Sequence, residues 1–414
     1  MTSGADDPKN HNPEAITSTT ESASVASVLL AFTKLGLTSF GGPIAHIGYF
    51  RREFVDRRGW ISEMEFADLV ALCQFLPGPA SSQVGFAIGL RQAGLPGGLA
   101  AFVGFTAPSA VLMLAAAQGL ALLAGHTGAA IVHGLLLVAV SIVAQAVYGM
   151  ARTLCPDRLT SLLAVAAFAV LLITQAPLAQ PAVIFGGAFA GLAVRSQPAS
   201  PPIVAPSVRT GAHYSFVWFG LFLILLIGLP VAAELTMWPS IVVADAFYRS
   251  GALVFGGGHV ILPLLQAETV GHHWLDQSTF LAGYGAAQAL PGPLSTFAAY
   301  LGAASDTGLP PLTGGVIAML AVFLPGFLLV AAALPVWRAV KQKPWAFGLV
   351  RGANASVVGV LAAALYSPIA TSAILRPADM AIAGAGFVAL QVFRAPSWLV
   401  VIGVGMAGVI SALA

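Results

Sequence analysis

The chain has 414 residues, of which 58% are hydrophobic and 8% are charged, and its formal net charge is +2. Apolar runs of about 18 residues or more recur along nearly its whole length, more than a soluble core can hold, so the sequence predicts an all-α protein that crosses the lipid bilayer many times. The small net charge argues against a nucleic-acid partner.

The N-terminal stretch 1–23 is polar and rich in Ser and Thr, and it lacks the apolar core and cleavage site of a signal peptide. We expect it to be a disordered tail. Thirteen apolar segments follow, separated by polar or proline-rich gaps. Six precede a linker at 196–214, near 24–50, 65–90, 97–123, 128–150, 160–176 and 181–194. Seven come after it, near 215–235, 240–263, 278–303, 311–336, 350–369, 378–393 and 396–413.

The segments belong to a duplicated unit. FTKLGLTSFGG at 32–42 recurs as FYRSGALVFGG at 247–257, and LPGP at 76–79 recurs at 290–293. The intervening residues Trp60, Phe66 and Gln74 match Trp274, Phe280 and Gln288. So many matches at nearly one offset indicate an internal repeat. The predicted organisation is a tail at 1–23, a first repeat at 24–195, a linker with one unpaired transmembrane helix at 196–239, and a second repeat at 240–414.

The unpaired segment near 215–235 predicts that the two repeats have opposite orientations. Each repeat holds six segments, so one extra crossing turns the second repeat upside down, as in many secondary transporters. Short cytoplasmic loops collect Lys and Arg. If all thirteen segments crossed, with the N-terminus inside, the loop RREFVDRRGW at 51–60 would fall outside with its four arginines.

Re-entrant hairpins remove this conflict. If the first two segments of each repeat dip in and return, nearly all Lys and Arg residues fall inside, and the matching loop at 264–277, which has none, falls outside. We therefore predict hairpins at 24–50, 65–90, 240–263 and 278–303 and a cytoplasmic N-terminus. Full crossings are the alternative, since the prediction of hairpins depends mainly on a single loop, the one at 51–60.

The LPGP motifs must break their helices, because proline lacks an N–H and clashes with the preceding turn. Opened backbone at membrane depth survives only where it is buried in protein or lines a wet cavity. Ser81 and Ser82 follow the first motif, and Ser295 and Thr296 follow the second. We expect these hydroxyls to cap half-helices whose N-termini bind an anion. A kink used only for packing is the alternative, but its duplication favours function.

Lys34 and Arg249 occupy matched positions in the two repeats. An ionised side chain at the bilayer centre costs at least ~2.5 to 3.5 kcal/mol, so such residues usually face a cavity or a partner. The alternative is that each reaches the nearer interface. Two cations related by a pseudo-twofold axis suit a doubly charged anion, and adjacent glycines let the backbone approach it closely. Asp68 and Asp245 are either proton carriers or counter-ions, and we prefer the second role.

The predicted binding site combines these cations with both sets of helix breaks. Its members are Lys34, Gly41, Gly42, Gln74, Pro77, Gly78, Pro79, Ser81, Ser82, Arg249, Gly256, Gly257, Gln288, Pro291, Gly292, Pro293, Ser295 and Thr296. The sequence shows no nucleotide-binding loop, catalytic triad or metal-ligand spacing, and we read Cys73 and Cys155 as small apolar fillers. We therefore expect no metal, cofactor or enzyme activity, and an energy source in ion or electrical gradients.

The order FGGP, then W-x5-F, then Q-x-LPGP, in two copies, resembles the chromate ion transporter family in its long two-domain form, from about residue 24 to the end. The resemblance implies a bacterial inner-membrane protein that exports chromate and confers resistance to it, with sulfate as a similar competitor. It also implies about ten to thirteen spans with halves in opposite orientation. The second copy departs from the pattern, with FGGGH at 255–259 in place of FGGPI. If Gly-Gly-Pro shapes the site, the second half gates rather than binds.

The leading hypothesis is a chromate exporter that works by alternating access, driven by the membrane potential, a proton gradient or both. One charge moving through 100 mV is worth about 2.3 kcal/mol, so a dianion leaving a negative interior gains about twice that. The alternative is an importer or exchanger of sulfate or another tetrahedral oxyanion. A membrane enzyme or scaffold would need a nucleophile, metal site or soluble face that the sequence does not offer. A second copy of the chain is a further candidate partner.

Overall fold

The computed structural model describes residues 23–121, 125–174, 176, 178–193, 212–340 and 343–413. Nearly all of the predicted tail and most of the linker lie outside these ranges. The described part is α-helical and contains no strand. Its first-half helices are α1 Val25–Thr38, α2 Gly42–Phe50, α3 Glu63–Phe75, α4 Ala80–Ala121, α5 Gly125–Leu154, α6 Arg158–Ile173 and α7 Ala179–Gly191. The others are α8 Ala212–Thr236, α9 Pro239–Ala252, α10 Ile261–Thr269, α11 Gln277–Ala287, α12 Phe297–Ala304, α13 Pro311–Ala333, α14 Trp337–Val340, α15 Pro344–Ala364, α16 Thr371–Ala373, α17 Pro377–Gln391 and α18 Ser397–Leu413.

Within the described residues, five helices are long and apolar enough to cross a membrane. They lie at Ala80–Leu120, Gly125–Leu154, Ser215–Thr236, Pro311–Ala333 and Trp345–Ala373. Helices satisfy their own backbone hydrogen bonds, which hydrocarbon cannot do for them. Large apolar side chains such as Leu30, Ile173 and Phe216 point outward, as expected where lipid replaces water. The protein is therefore a multi-pass membrane protein.

The first two segments are helical hairpins. In the first, Phe32 of α1 stacks on Phe54, just beyond α2, with ring centroids 4.8 Å apart. In the second, Gln92 near the end of the returning limb donates to the carbonyl of Trp60, which precedes α3, at 2.8 Å. Arg91 likewise reaches Glu65 at the start of α3, at 2.5 Å. Each segment therefore returns to the side on which it begins.

The second repeat contains the same two hairpins. Arg249 of α9 binds Glu268 of α10 at 2.9 Å. The Tyr300 hydroxyl of α12 donates to the carbonyl of Thr279 at the start of α11, at 3.0 Å. Arg249 lies in the last turn of α9, so this ion pair links the two limbs of the first hairpin, while the Tyr300 bond holds the base of the second hairpin together. The structure favours re-entrant hairpins over full crossings for the first two segments of each repeat.

The long helix α4 is two helices separated by a break. Ala93 and Gly94 leave helical geometry, with φ of −139° and 64°, so the limb 80–92 completes the second hairpin and the limb 95–121 crosses the membrane. The two limbs pack tightly, since a Cβ on Gly89 would lie 2.3 Å from the carbonyl oxygen of Gly97. This glycine pair is what lets the chain turn back on itself.

The repeats are inverted, as the odd helix count predicts. The limb 95–121 matches α13, and the two pack side by side. Phe102 meets Phe327 with ring centroids 5.0 Å apart, whereas Leu114 lies against Gly315, 2.5 Å from where its Cβ would be. Residue numbers rise along one helix as they fall along the other. Equivalent helices therefore run in opposite directions, and α8 supplies the extra crossing between them.

The remaining helices interlock the repeats. The pair α6 and α7 of the first repeat packs on α15 of the second, and the pair α17 and α18 of the second packs on α5 of the first. Small residues allow this, because a Cβ on Gly352 would lie 2.0 Å from the carbonyl oxygen of Gly187. Close helix contact through small residues is the usual packing mode in membranes. The hairpin tips are enclosed by this interlocked frame.

Candidate transport site

The four hairpin tips meet, and two matched hydrogen bonds join the repeats there. The Gly78 N–H of the first LPGP loop donates to the carbonyl of Val254 at 2.7 Å, and the Gly292 N–H of the second donates to the carbonyl of Ser39 at 2.9 Å. Ser39 and Val254 are themselves matched residues, each just before its Phe-Gly-Gly. Each LPGP loop is thus held by the other repeat. We call this meeting point the central junction.

Close packing requires the glycine of each LPGP loop. Gly78 and Gly292 have φ of 127° and 97°, a region in which other residues are strained. A Cβ on Gly78 would lie 3.0 Å from the Cα of Gly326, and one on Gly292 would lie 2.7 Å from the Oγ of Ser109. Gly326 and Ser109 each follow a proline inside a membrane-crossing helix. Each loop therefore packs against the proline-containing helix of the other repeat.

The returning limbs α2, α4, α10 and α12 all begin near the central junction, so their N-terminal, positive ends converge on it. The carbonyl ends of the approaching limbs are partly satisfied within the protein. Ser39 and Val254 accept from the LPGP loops, and Pro77 accepts from the Gln83 amide at 2.8 Å. This arrangement turns helix N-termini, rather than helix C-termini, toward the junction.

The prediction that Ser295 and Thr296 cap a half-helix is wrong. The 3-10 turn Leu294–Thr296 and α12 both begin without a side-chain cap. The Thr296 hydroxyl instead donates back to the carbonyl of Pro293 at 2.8 Å. The helix α2 after Gly41 and Gly42 also lacks a side-chain cap. Uncapped N-termini are the form in which helix ends bind anions.

Several buried polar groups around the junction have no hydrogen-bond partner among the described atoms. Buried polar groups are normally paired, so each of these calls for a water or a ligand. They are the Ser39 and Ser82 hydroxyls, the Thr106 hydroxyl, His46 Nε2 and Gln288 Nε2. Most are potential donors. The other ring nitrogen of His46, Nδ1, lies 3.4 Å from the Ser81 hydroxyl, which connects this residue to the helix that follows the first LPGP loop.

The structure brings most of the predicted motif residues to the junction. Gly41, Gly42, Gly256 and Gly257 all have positive φ and form the breaks in the first hairpin of each repeat. The two breaks approach each other, since a Cβ on Gly258 would lie 3.1 Å from the Pro43 ring. The prolines of the LPGP motifs flank the cross-repeat hydrogen bonds, and Ser81 and Ser295 are buried beside these bonds. The prolines are Pro77, Pro79, Pro291 and Pro293.

Two predicted residues point elsewhere. Lys34 is exposed on the face of α1 opposite the one that packs on α4, and Gln74 is exposed on α3. Arg249 does not present a free charge either. Its guanidinium donates to Asp245 at 3.0 Å and to Glu268 at 2.9 Å, so two carboxylates surround one cation.

The acidic residues predicted as coupling groups or counter-ions have separate partners. Asp245 is the i,i+4 partner of Arg249, in line with the counter-ion role that we prefer for it. Asp68 accepts from the indole of Trp337 at 3.2 Å. Sequence reasoning missed Glu268 as a partner of Arg249. The available signal is that Glu268 matches Glu53, which lies in the arginine loop of the first repeat.

The hairpin base of the first repeat is rich in ion pairs. Glu53 is buried and binds Arg57 at 2.9 Å and Arg58 at 2.7 Å. Burial alone would raise the pKa of Glu53, but the hydrogen bonds and charges of these arginines outweigh it, so this pKa lies below its usual value. Arg51 binds Glu63 at 2.8 Å. This end of the molecule therefore carries a dense network of arginines paired with carboxylates.

Comparison with known proteins agrees with the geometry. The family model described as chromate transporter matches residues 26–192 and again 241–409. A chromate transport protein of Pseudomonas aeruginosa is 28% identical over 365 residues, covering 86% of this chain and 85% of that protein. One of Cupriavidus metallidurans is 27% identical over 345 residues, covering 82% and 81%. An uncharacterized transporter of Methanocaldococcus jannaschii is 25% identical over 370 residues, covering 86% and 84%.

No solved structure matches the chain significantly. The two family matches fall on the two inverted repeats, and both contain the FGG and LPGP motifs on which the sequence comparison rests. The resemblance drawn from those motifs is therefore confirmed, and the chain belongs to the chromate transporter family.

Proposed function

We propose that this protein exports chromate from the cytoplasm across the bacterial inner membrane, by alternating access at the central junction. The observation that carries the proposal is the pair of matched hydrogen bonds, from Gly78 to Val254 and from Gly292 to Ser39. They bring together uncapped helix N-termini of both repeats, the unpartnered hydroxyls of the first repeat and the unpartnered Gln288 amide of the second. Such a ring of donors suits an oxyanion, which can accept hydrogen bonds on every oxygen.

In this proposal the anion is held by neutral donors. Ser39, Ser82 and Thr106 offer hydroxyls, and the returning helices offer backbone N–H groups. Conduction requires binding that is strong enough to admit an ion and weak enough to release it. Neutral donors meet this requirement more easily than two fixed cations would. Arg249 then fixes the first hairpin of the second repeat, and Lys34 lies outside the binding centre.

The direction follows from charge. The hairpin base with Arg51, Arg57 and Arg58 is expected to face the cytoplasm by the positive-inside rule, and with it the N-terminus. A dianion that leaves a negative interior gains about twice 2.3 kcal/mol per 100 mV, so export needs no coupled cation. Asp245 and Glu268, the carboxylates of the second repeat's first hairpin, are both engaged by Arg249. Membrane potential is therefore the proposed driving force.

Inside-out membrane vesicles test the function directly. Labelled chromate is added outside, and a potential positive inside the lumen is imposed. We expect accumulation that follows the potential. The double variant Ser39→Ala, Ser82→Ala removes two donors worth about 1 kcal/mol each, so its initial rate at low chromate is expected to fall by roughly tenfold or more. Ser161→Ala is the matched control, because Ser161 is exposed and bonds only to the nearby carbonyl of Cys155.

Each failure has a separate meaning. Accumulation without dependence on the potential would contradict the driving force. An unchanged rate in the double variant would contradict the site. Sulfate is the second candidate substrate, because the donors of the junction are neutral and both ions are tetrahedral dianions. Labelled sulfate that accumulates where chromate does not would replace the substrate and leave the site in place.

A further inference from the structure

A cavity with a partly polar lining lies away from the central junction, at the hairpin bases of the second repeat. It has a volume of about 630 Å³ and lies between α10, the start of α11, the end of α6, the start of α7 and the later part of α15. A water molecule takes up about 30 Å³, so the space can hold roughly twenty waters and a hydrated anion with them. Its polar lining consists mainly of Thr174, Gln180, Gln266, Gln277 and His272.

Three glutamine amides set the chemistry of this cavity. The Gln266 amide donates to Gln277 Oε1 at 2.8 Å, and Gln266 itself is buried. The other amide atom of Gln277, Nε2, is buried and has no partner, and neither has Oε1 of Gln180. A side-chain amide can present either its oxygen or its NH₂ group, so Gln180 can also turn a donor inward. The cavity thus contains buried hydrogen-bonding groups without a partner.

The internal repeat shows what is unusual here. Gln266 and Gln277 match Arg51 and Glu63 of the first repeat, 215 and 214 positions earlier. Arg51 donates to Glu63 at 2.8 Å, the same distance as between the two glutamines. The same pair of matched positions is therefore in contact in both repeats. In the first repeat the contact is an ion pair, and in the second it is a neutral amide pair.

The charged groups near the cavity are only partly compensated. Glu268 lies beside the lining residue Ala267, and its carboxylate is held by Arg249 at 2.9 Å. His272 occupies the position that matches Arg57, and its Nδ1 lies 2.7 Å from the carbonyl of Glu268. Asp276 caps α11 by accepting from the Thr279 N–H at 2.9 Å. Glu268 shares Arg249 with Asp245, and the groups bonded to Asp276 are the neutral Ser278 and Thr279, so the cavity wall carries a small negative charge and lacks the arginines of the other base.

We propose that this cavity, which we call the amide vestibule, is a second oxyanion site through which the transported anion leaves. Gln180, Gln266 and Gln277 hold the anion by hydrogen bonds from uncharged amides. The base of the first repeat offers arginines to an arriving anion, whereas the amide vestibule binds the anion weakly and releases it. The inference rests on the proposed function and adds a release site to it.

Charge substitutions at Gln277 test the vestibule. In inside-out vesicles the lumen corresponds to the outer face, so unlabelled chromate loaded into the lumen should slow chromate accumulation by occupying the vestibule. A unit charge a few ångströms from a dianion in a wet cavity changes affinity by about tenfold. The quantity measured is the lumenal chromate concentration that halves the rate of accumulation. We expect Gln277→Lys to lower this concentration about tenfold and Gln277→Glu to raise it about tenfold. The half-saturating concentration at the cytoplasmic face should stay unchanged.

Gln391→Lys and Gln391→Glu are matched controls, because Gln391 ends α17 and is half-buried outside the vestibule. If the Gln277 variants fail to insert, Gln180→Lys and Gln180→Glu repeat the test. A natural protein that does not accumulate chromate would overturn the proposed function. Accumulation by the natural protein, with lumenal inhibition unmoved in the charge variants, would overturn the vestibule alone. A change only in the half-saturating chromate concentration at the cytoplasmic face would also overturn the vestibule.

Discussion

At the scale of single residues, the least expected contact is that of Arg249, which binds two carboxylates instead of standing free. Removal of one partner from a buried charge cluster leaves the others uncompensated and costs about 3 to 5 kcal/mol when burial is complete. The Arg249 side chain is 36% exposed, so solvent reduces this cost. The ion cluster links α9 to α10, and we expect the role of Arg249 to be structural.

Substitution of the two matched cations separates this role from substrate binding. We expect Arg249→Ala to destabilise the protein by about 2 kcal/mol, and Lys34→Ala to change stability by less than about 0.5 kcal/mol because Lys34 is exposed. Thermal unfolding in detergent measures both. The double variant Arg249→Ala, Glu268→Gln should recover part of the loss. Stable single variants with weakened chromate affinity would instead restore the paired-cation site predicted from the sequence.

The glycines of the LPGP loops lead to a second prediction at the scale of single residues. Gly78→Ala places a Cβ 2.7 Å from Gln83 Nε2 and 3.0 Å from the Cα of Gly326, at a φ of 127°. The glutamine can move but the backbone cannot, so we expect a loss of about 2 kcal/mol or more and loss of transport.

Gly149→Ala in α5 is the control, since a Cβ there meets nothing within 4 Å. It should be neutral or stabilising by up to about 1 kcal/mol. Equal melting temperatures for the Gly78 and Gly149 variants would show that the LPGP loops are not tightly packed against the other repeat.

At the scale of elements, the hairpins show what the sequence could predict. The breaks follow from proline and glycine, which act locally, and the inversion follows from a count of segments and the distribution of arginines. The partners across the junction do not follow in this way. That Gly78 meets Val254, or that Arg249 meets Glu268 nineteen positions later, depends on how whole hairpins pack. The outward direction of Lys34 depends likewise on which face of α1 meets α4.

The hairpins can be tested by labelling single cysteines with an impermeant thiol reagent, in a background with Cys73→Ser and Cys155→Ser. Arg57→Cys and Ser278→Cys are suitable because both side chains are exposed. Hairpins with a cytoplasmic N-terminus place residue 57 inside and residue 278 outside, so intact cells should label only the second. Labelling of residue 57 alone would mean that the segments cross fully or that the N-terminus is outside.

At the scale of the whole molecule, α8 decides the orientation of everything after it. It is the unpaired helix between the repeats, and only 6% of its most apolar 18-residue stretch is buried. It packs on α9 and α13, where the Tyr248 hydroxyl donates to the carbonyl of Phe222 at 3.0 Å. Most of its side chains face outward, and a minority, such as Phe222, reach the core. What the protein requires from this helix is the crossing itself.

Two variants distinguish a requirement for the membrane crossing from a requirement for the particular sequence of α8. In the first, Ser215–Thr236 is replaced by a leucine-alanine helix of equal length; we expect transport to be largely kept, because a backbone carbonyl still faces Tyr248 and hydrocarbon still surrounds the rest. In the second, the same segment is deleted; the second repeat then begins from the opposite side, the hydrogen bonds from Gly78 and Gly292 cannot form, and transport should be lost. Cysteine labelling at residue 278 should move from outside to inside in the deletion alone. If the leucine-alanine variant fails as completely as the deletion, α8 makes specific contacts that the protein requires, and its role is more than to invert the second repeat.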